Sequence, residues 1–235
     1  MSVQGIDVSY CQRRVNWPEV AREKSFVFAR CGWGSSPDDM FVRHATGAAE
    51  AGLYVAPYVF ALGRESVDAQ LDALACAHDL CGEKRLPPAI DFEQLTEKGC
   101  RDTRAFCRSM ILGAVALFGH VIVYTGAGWW GPFGDESTDT SGASLWVAHY
   151  GVSRPMLPKP WKSWAFWQYK GDEGRATGVD GPCDLNVFSG DEKALAELSE
   201  LACLRLASGA SPKSRLVDGL LHERLKVSGC FDAEA

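Results

Sequence analysis

Five short apolar runs, at 3–9, 26–30, 53–60, 86–93 and 121–124, set the strongest constraint on how this chain can fold. Segments of helical character separate them. Pro18 suits the first position of a short helix to Lys24, and Asp38 or Asp39 can cap the next, which Gly52 ends. Ser66 caps a helix to Cys81, with Val67, Leu71, Leu74 and Ala75 on one stripe, and another runs from Asp102 to Phe118. Gly32, Gly34 and the residues to Pro37 read as a loop. Such alternation argues for a parallel sheet with crossover helices. After Tyr124 the rhythm changes: 126–142 is rich in Gly, Ser, Thr and Asp, and three more runs follow at 145–150, 165–169 and 184–188. Five strand–helix units and three further strands predict an irregular closed α/β barrel, (β/α)5β3 and TIM-barrel-like, and 235 residues are enough for one.

Residues 1–207 are read as one barrel domain, with a helix over 191–207 packing outside through Leu195, Leu198, Leu201 and Leu204. Residues 208–235 are read as a C-terminal helical extension, helical over 217–227, not a separate binding domain. Leu216, Leu220, Leu221 and Leu225 make that extension a candidate for self-association.

The chemistry concentrates in the fourth run, where Asp91 and Glu93 flank Phe92. On a strand, residues i and i+2 share a face, which sets the two carboxyls roughly 6–7 Å apart at their β-carbons. Two like charges at a buried strand end force one to be desolvated or protonated. Glycosidic bond cleavage uses that inequality, one group giving a proton and the other meeting positive charge. In a parallel barrel the active site lies at the carboxyl ends of the strands. Asp7, Arg30, Tyr58, Asp91, Glu93, Tyr124, His149, Gln168 and Asp184 fall near those ends, and closure would gather the four acids.

Charge and cysteine content exclude other classes. A net charge of −6 argues against nucleic acid and against holding a polyanion by bulk attraction. The nine cysteines show no Cys-x-x-Cys spacing and read mostly as buried, reduced thiols. No run approaches a membrane span, and residues 3–9 already read as a strand, so a chain made in the cytoplasm without an export signal is expected. The histidines His44, His78, His120 and His222 lack ligand spacing, and neither a metal nor another cofactor is expected.

Six motifs in order carry a resemblance: Gly5-Ile6-Asp7-Val8-Ser9 with Gln12; Ala89-Ile90-Asp91-Phe92-Glu93; Tyr124-Thr125-Gly126 with Trp129-Trp130; Leu145-Trp146-Val147-Ala148-His149-Tyr150; Trp164 with Trp167-Gln168-Tyr169; and Gly181 with Asp184-Leu185-Asn186. The chain resembles glycoside hydrolase family 25, the Chalaropsis-type lysozymes of phage endolysins, bacteria and fungi. The resemblance implies an N-acetylmuramidase acting on peptidoglycan glycan strands at the β-1,4 bond from N-acetylmuramic acid to N-acetylglucosamine. It implies Glu93 as general acid and Asp91 as nucleophile or as orienter of the substrate's acetamido group, with Asp7 and Asp184 completing the acidic cluster. It also suits a phage-type or virion-borne lysin that reaches the bacterial wall once the membrane is opened.

Tyr58, Tyr124, Arg30 and Gln168 are the polar candidates for substrate contact, and Trp33, Trp129 and Trp146 are the stacking candidates, with Trp130 beside them. Trp17, Trp161 and Trp164 read as structural, and His149 as a satisfied barrel histidine. Two departures from the family pattern stand out. Val59 occupies a position often held by His, and Arg30-Cys31-Gly32 stands where Lys-Ala-Thr or Lys-Ala-Ser is frequent. The rival reading is a non-catalytic sugar-binding barrel, which the presence of all four acids disfavours.

Overall fold

The structure, a computed structural model, describes residues 2–94 and 102–207, without the side chains of 204–207. The expected extension over 208–235, with its self-association surface, lies outside the described residues, as do Cys100, Cys230, His222 and the side chain of Leu204. Among the described residues no helix is long and apolar enough to cross a membrane.

The chain runs β1 (Val3–Val8), α1 (Trp17–Val20), β2 (Phe26–Trp33), β3 (Ser36–Pro37), α2 (Phe41–Glu50), β4 (Tyr54–Phe60), α3 (Val67–Asp79) and β5 (Ala89–Asp91). It continues α4 (Thr103–Phe118), β6 (Val121–Gly126), β7 (Ala143–Ala148), β8 (Phe166–Lys170), β9 (Asp184–Phe188) and α5 (Glu192–Ala207). Eight strands close in the order β1-β9-β8-β7-β6-β5-β4-β2, with β2 pairing back to β1. Every pairing in the ring is parallel except the two made by β9. The (β/α) barrel expected from the rhythm of the sequence is therefore present.

Local differences have local causes. The crossover from β6 to β7 is built of turns through Trp129, Trp130 and Phe133 rather than a helix, as its Gly, Ser and Asp content dictates. Residues 32–37 form a hairpin, not a loop: Gly34 turns at φ 61°, and a β-carbon on Gly32 would lie 2.9 Å from the Ser36 carbonyl oxygen. No side chain caps α2, because one Asp38 oxygen is taken by Arg30 and the other by the Met40 N–H. Ser66 and Asp102 cap α3 and α4 as expected. In α3 the buried face is Gln70, Leu71, Leu74, Ala77 and His78, so Val67 and Ala75 sit at its margin. In α5 Leu195 is buried while Leu201 is exposed, which places the stripe's far end in solvent.

Alternation along the strands makes two apolar layers. The outer layer packs α2, α3 and α4 against the barrel and holds Val27, Val55, Val59, Ile90 and Val123. The inner layer fills the barrel with aromatic rings: Phe28 stacks on Trp146 at 3.9 Å, and Phe26 and Phe166 meet edge to face at 5.1 Å. This floor fixes the height at which polar side chains gather above it. Gly5 is part of the fit, since a β-carbon there would fall 2.3 Å from the fully buried Phe26 ring.

Gly5→Ala is therefore expected to destabilise the fold by about 1–3 kcal/mol, read from the midpoint of denaturant unfolding. Adding Phe26→Leu to that variant should recover part of the loss. An unchanged midpoint for Gly5→Ala would show that the floor is not tightly packed there.

Candidate active site

Above the aromatic floor, at the carboxyl ends of the parallel strands, lies a cavity of about 270 Å³. Asp7, Asp91, Glu93, Asp184, Tyr58, Tyr124, Trp146 and Gln168 line it, so all four predicted acids meet there with four of the predicted contact residues. Asp91 ends β5 beside Tyr124 of β6, and Tyr124 in turn pairs with Trp146 of β7. Asp184 is the first residue of β9, not the last. It reaches the cavity because β9 runs antiparallel, which sets Asp184 directly opposite Asp7.

Two amide side chains organise the acids, each turned by its own donors. The hydroxyls of Tyr124 and Tyr150 donate to Gln168 Oε1 at 2.7 and 2.6 Å. That leaves Gln168 Nε2 to donate to Asp7 Oδ2 at 2.9 Å and to Asp184 Oδ2 at 3.2 Å. Trp146 Nε1 donates to Asn186 Oδ1 at 2.8 Å, and Asn186 Nδ2 donates to the same Asp7 oxygen at 2.7 Å. Both amides are fixed in orientation, since neither could flip without facing acceptor to acceptor. Asp91 is different. It is 5% exposed, and its Oδ1 has no hydrogen-bond partner among the described residues.

Burial raises the pKa of all four acids. At Asp7 the Asn186 and Gln168 donors oppose that rise, whereas Asp184 is pushed up to about 8 by desolvation, by Asp7 and by Asp172. The proton of the pair therefore resides on Asp184, with Asp7 the carboxylate. Asp91 is raised well above the ordinary range by burial and by Glu93 and Asp7, and Glu93 by burial, Asp7 and Asp172. The Arg30 charge pulls both back. Tyr58 and Tyr124 are raised so far that their hydroxyls stay protonated, which keeps Tyr124 a donor.

Three predicted contact residues do not line this cavity. Arg30 is tied to Asp38 at 2.8 Å, and its guanidinium lies over the rings of Tyr10 and Trp33 at 4.9 and 5.6 Å. Trp33 stacks on Phe60 at 3.8 Å, so Arg30 and Trp33 form a bracing column beside a neighbouring cleft. Trp129 packs at a tilt against Tyr124, with ring centres 6.2 Å apart. Of the four tryptophans considered as stacking candidates, Trp146 alone is among the lining residues, and Trp130 is buried. Trp17 and Trp161 are buried and Trp164 packs on the core. His149 takes the Met156 N–H on Nδ1 at 2.9 Å and stands outside the lining. Val59 faces the helical layer, so that departure leaves the cavity wall unchanged.

Four participants were missed. Asn186 was quoted only within a motif, and its place two residues from Asp184, on the same face of a strand, was the available signal. Tyr150, Gly171 and Asp172 also line the cavity. The last two arrive because β8 bulges between Gln168 and Lys170, which alternation alone does not reveal. Among the described residues no histidine, cysteine and carboxylate group has the arrangement of a metal site. Among the described cysteines, Cys31, Cys81, Cys107 and Cys183 are buried.

Comparison with known proteins gives concordant matches. A sequence model described as glycosyl hydrolases family 25 matches residues 6–179. Lysozyme M1 of Streptomyces globisporus is 31% identical over 219 residues, covering 84% of this chain and 71% of its own. The crystal structure of the bacterial lysozyme from Streptomyces coelicolor superposes with a TM-score of 0.76 at 32% identity, covering 85% of this chain and 97% of that one. A muramidase from Trichobolus zukalii gives a TM-score of 0.72 at 26% identity, covering 85% and 99%.

The Asp7–Asp184 pair makes a signed prediction. Asp184 has an ordinary value of 3.8 and a folded value of about 8, so the folded state holds this proton more tightly. Its contribution to stability is fully present below 3.8 and is lost as the pH rises to about 8. Asp184→Asn supplies a permanent donor to Asp7. The variant should melt above the parent at pH 8, with the gap closing towards pH 4. A gap that does not change with pH would show that no proton is held there.

Proposed function

The chain belongs to glycosyl hydrolases family 25, and on that premise we propose that it is a peptidoglycan hydrolase, an N-acetylmuramidase cleaving the β-1,4 bond between N-acetylmuramic acid and N-acetylglucosamine. The observation that carries the reading is the convergence of four carboxyls of unequal proton affinity in one cavity of about 270 Å³, a volume suited to a single sugar ring. Its similarity to proteins described as lysozyme and muramidase supports the substrate class.

In this reading Glu93 is the general acid. It is the less buried member of the Asp91–Glu93 pair, and burial, with Asp7 and Asp172, holds its proton above the usual range, as a general acid requires. It delivers that proton to the glycosidic oxygen as the bond to the sugar carbon breaks. Asp91 orients the substrate's acetamido group, whose N–H would satisfy the unpartnered Oδ1 and stabilise the ionised carboxylate. The acetamido oxygen then attacks the sugar carbon from the opposite face, and water opens the resulting ring while Glu93 recovers a proton from it. The Asp7 carboxylate, held by Gln168 and Asn186, faces the positive charge that develops on the sugar. Tyr58 and Tyr124 form the polar part of the wall. No step calls for a metal, because the leaving oxygen is protonated rather than polarised. We place the action at the bacterial wall, reached once the membrane is opened. The unpaired, buried thiols of Cys31, Cys81, Cys107 and Cys183 support synthesis in a reducing compartment.

Glu93→Gln should lower reducing-sugar release from purified walls about a hundredfold or more. Its melting temperature should stay within about 4 °C of the parent. In the unsubstituted chain the alkaline limb of kcat/KM should fall above the ordinary 4.5 of a glutamate. Retained hydrolysis in Glu93→Gln would remove it from the role. A chain that binds walls yet releases no reducing sugar would instead be a sugar-binding module.

A further inference from the structure

Next to the catalytic cavity lies a larger one of about 850 Å³. The two share Tyr150, Gly171 and Asp172 as a common rim. The rest of the groove is the outer face of the barrel: Trp167 and Tyr169 of β8, Val187 of β9 and Gln4 of β1, with Val152 from the segment after β7. From Asp7 back to Gln4 is three residues of strand, so the groove follows the wall for about 10 Å away from the acids. Its aromatic wall is already set. Trp167 Nε1 donates to the His149 carbonyl at 2.8 Å, the Tyr169 hydroxyl donates to Gln4 Oε1 at 3.1 Å, and the two rings lie 6.0 Å apart. Tyr150 and Val152, 45% and 38% exposed, add apolar surface beside that wall.

We propose that this groove is a subsite for the short peptide that peptidoglycan carries on its muramic acid ring, an assignment that rests on the muramidase reading. The direction of the groove favours a branch over a continuing glycan strand, because it leaves the one-ring cavity sideways and down the barrel wall. Its chemistry favours a peptide too. Val152 and Val187 suit the methyl groups of alanine, and the Gln4 amide suits a backbone. Lys170 and Glu173, 3.8 Å apart at the rim, offer both signs of charge to a peptide that carries carboxylates and, in many walls, an amine. A glycan strand whose lactyl carboxyls are all amide-linked to peptides is itself uncharged and would use neither.

The test is binding, measured by titration calorimetry on Glu93→Gln so that no turnover intervenes. The ligands are the disaccharide of N-acetylglucosamine and N-acetylmuramic acid with its tetrapeptide and the same disaccharide stripped of it. The peptide-bearing form should bind about fivefold tighter or more. Val152→Asp and Tyr169→Ala, each added separately, should erase that advantage while leaving the stripped disaccharide's constant unchanged, and Tyr169→Phe should retain most of it. Equal affinity of the two ligands, or an advantage that survives both substitutions, would overturn the proposal. Equal weakening of both ligands would assign the groove to the glycan and overturn it as well. Failure of the muramidase reading registers elsewhere, as no reducing-sugar release by the unsubstituted chain.

Discussion

One oxygen of Asp7 accepts two amide N–H groups while Asp184, opposite it on β9, keeps a proton, and this arrangement sets what the rest of the barrel must provide. Carboxyls buried side by side repel one another and are poorly solvated, so each needs a proton or directed donors. The donors must themselves be aimed. Tyr124 and Tyr150 aim Gln168, and Trp146 aims Asn186. Trp146 in turn rests on Phe28, which packs edge to face on Phe26 and Phe166. The aromatic filling of the barrel is thus continuous, through a few hydrogen bonds, with the charge distribution of the site.

The ring of strands is not evenly clothed. The helices α2, α3 and α4 pack on β2, β4 and β6, whereas the outward side chains Trp167 and Tyr169 of β8 line a groove. The same irregularity inserts β9 backwards between β8 and β1. One departure from an even (β/α) repeat therefore delivers Asp184 and Asn186 to the inside and leaves binding surface on the outside. The bulge in β8 joins the two by swinging Gly171 and Asp172 onto the rim they share.

On the other side of the mouth, Phe60, Trp33, Arg30 and Tyr10 form a column held by Asp38. A planar guanidinium can lie over rings and still meet a carboxylate edge-on, which a lysine ammonium cannot do. Arg30 consequently braces the β2–β3 hairpin and acts on the acids through its charge, drawing the values of Asp91 and Glu93 down against their burial. Val59, in the outer layer, has no such reach.

The order of elements, the acid pair flanking Phe92 and the polar residues at strand ends were all legible in the chain, because period-2 and helical patterns are local and the carboxyl-end rule follows from parallel strands. The helix caps at Ser66 and Asp102 were legible for the same reason. Arg30, Trp33 and Trp129 stand off the lining of the acidic cavity, and residue type and position in a strand do not say which neighbour claims a side chain first. Asp38 and the Tyr10 and Trp33 rings claimed Arg30, Phe60 claimed Trp33, and Tyr124 packs against Trp129. Sequence by itself determined that this chain makes a barrel with carboxylates at one end. Tertiary structure alone decided the backward run of β9, the bulge that brings in Asp172 and the aimed amides of Gln168 and Asn186, because each depends on which strand lies beside which, and a pairing between separate strands leaves no mark on the local pattern of either.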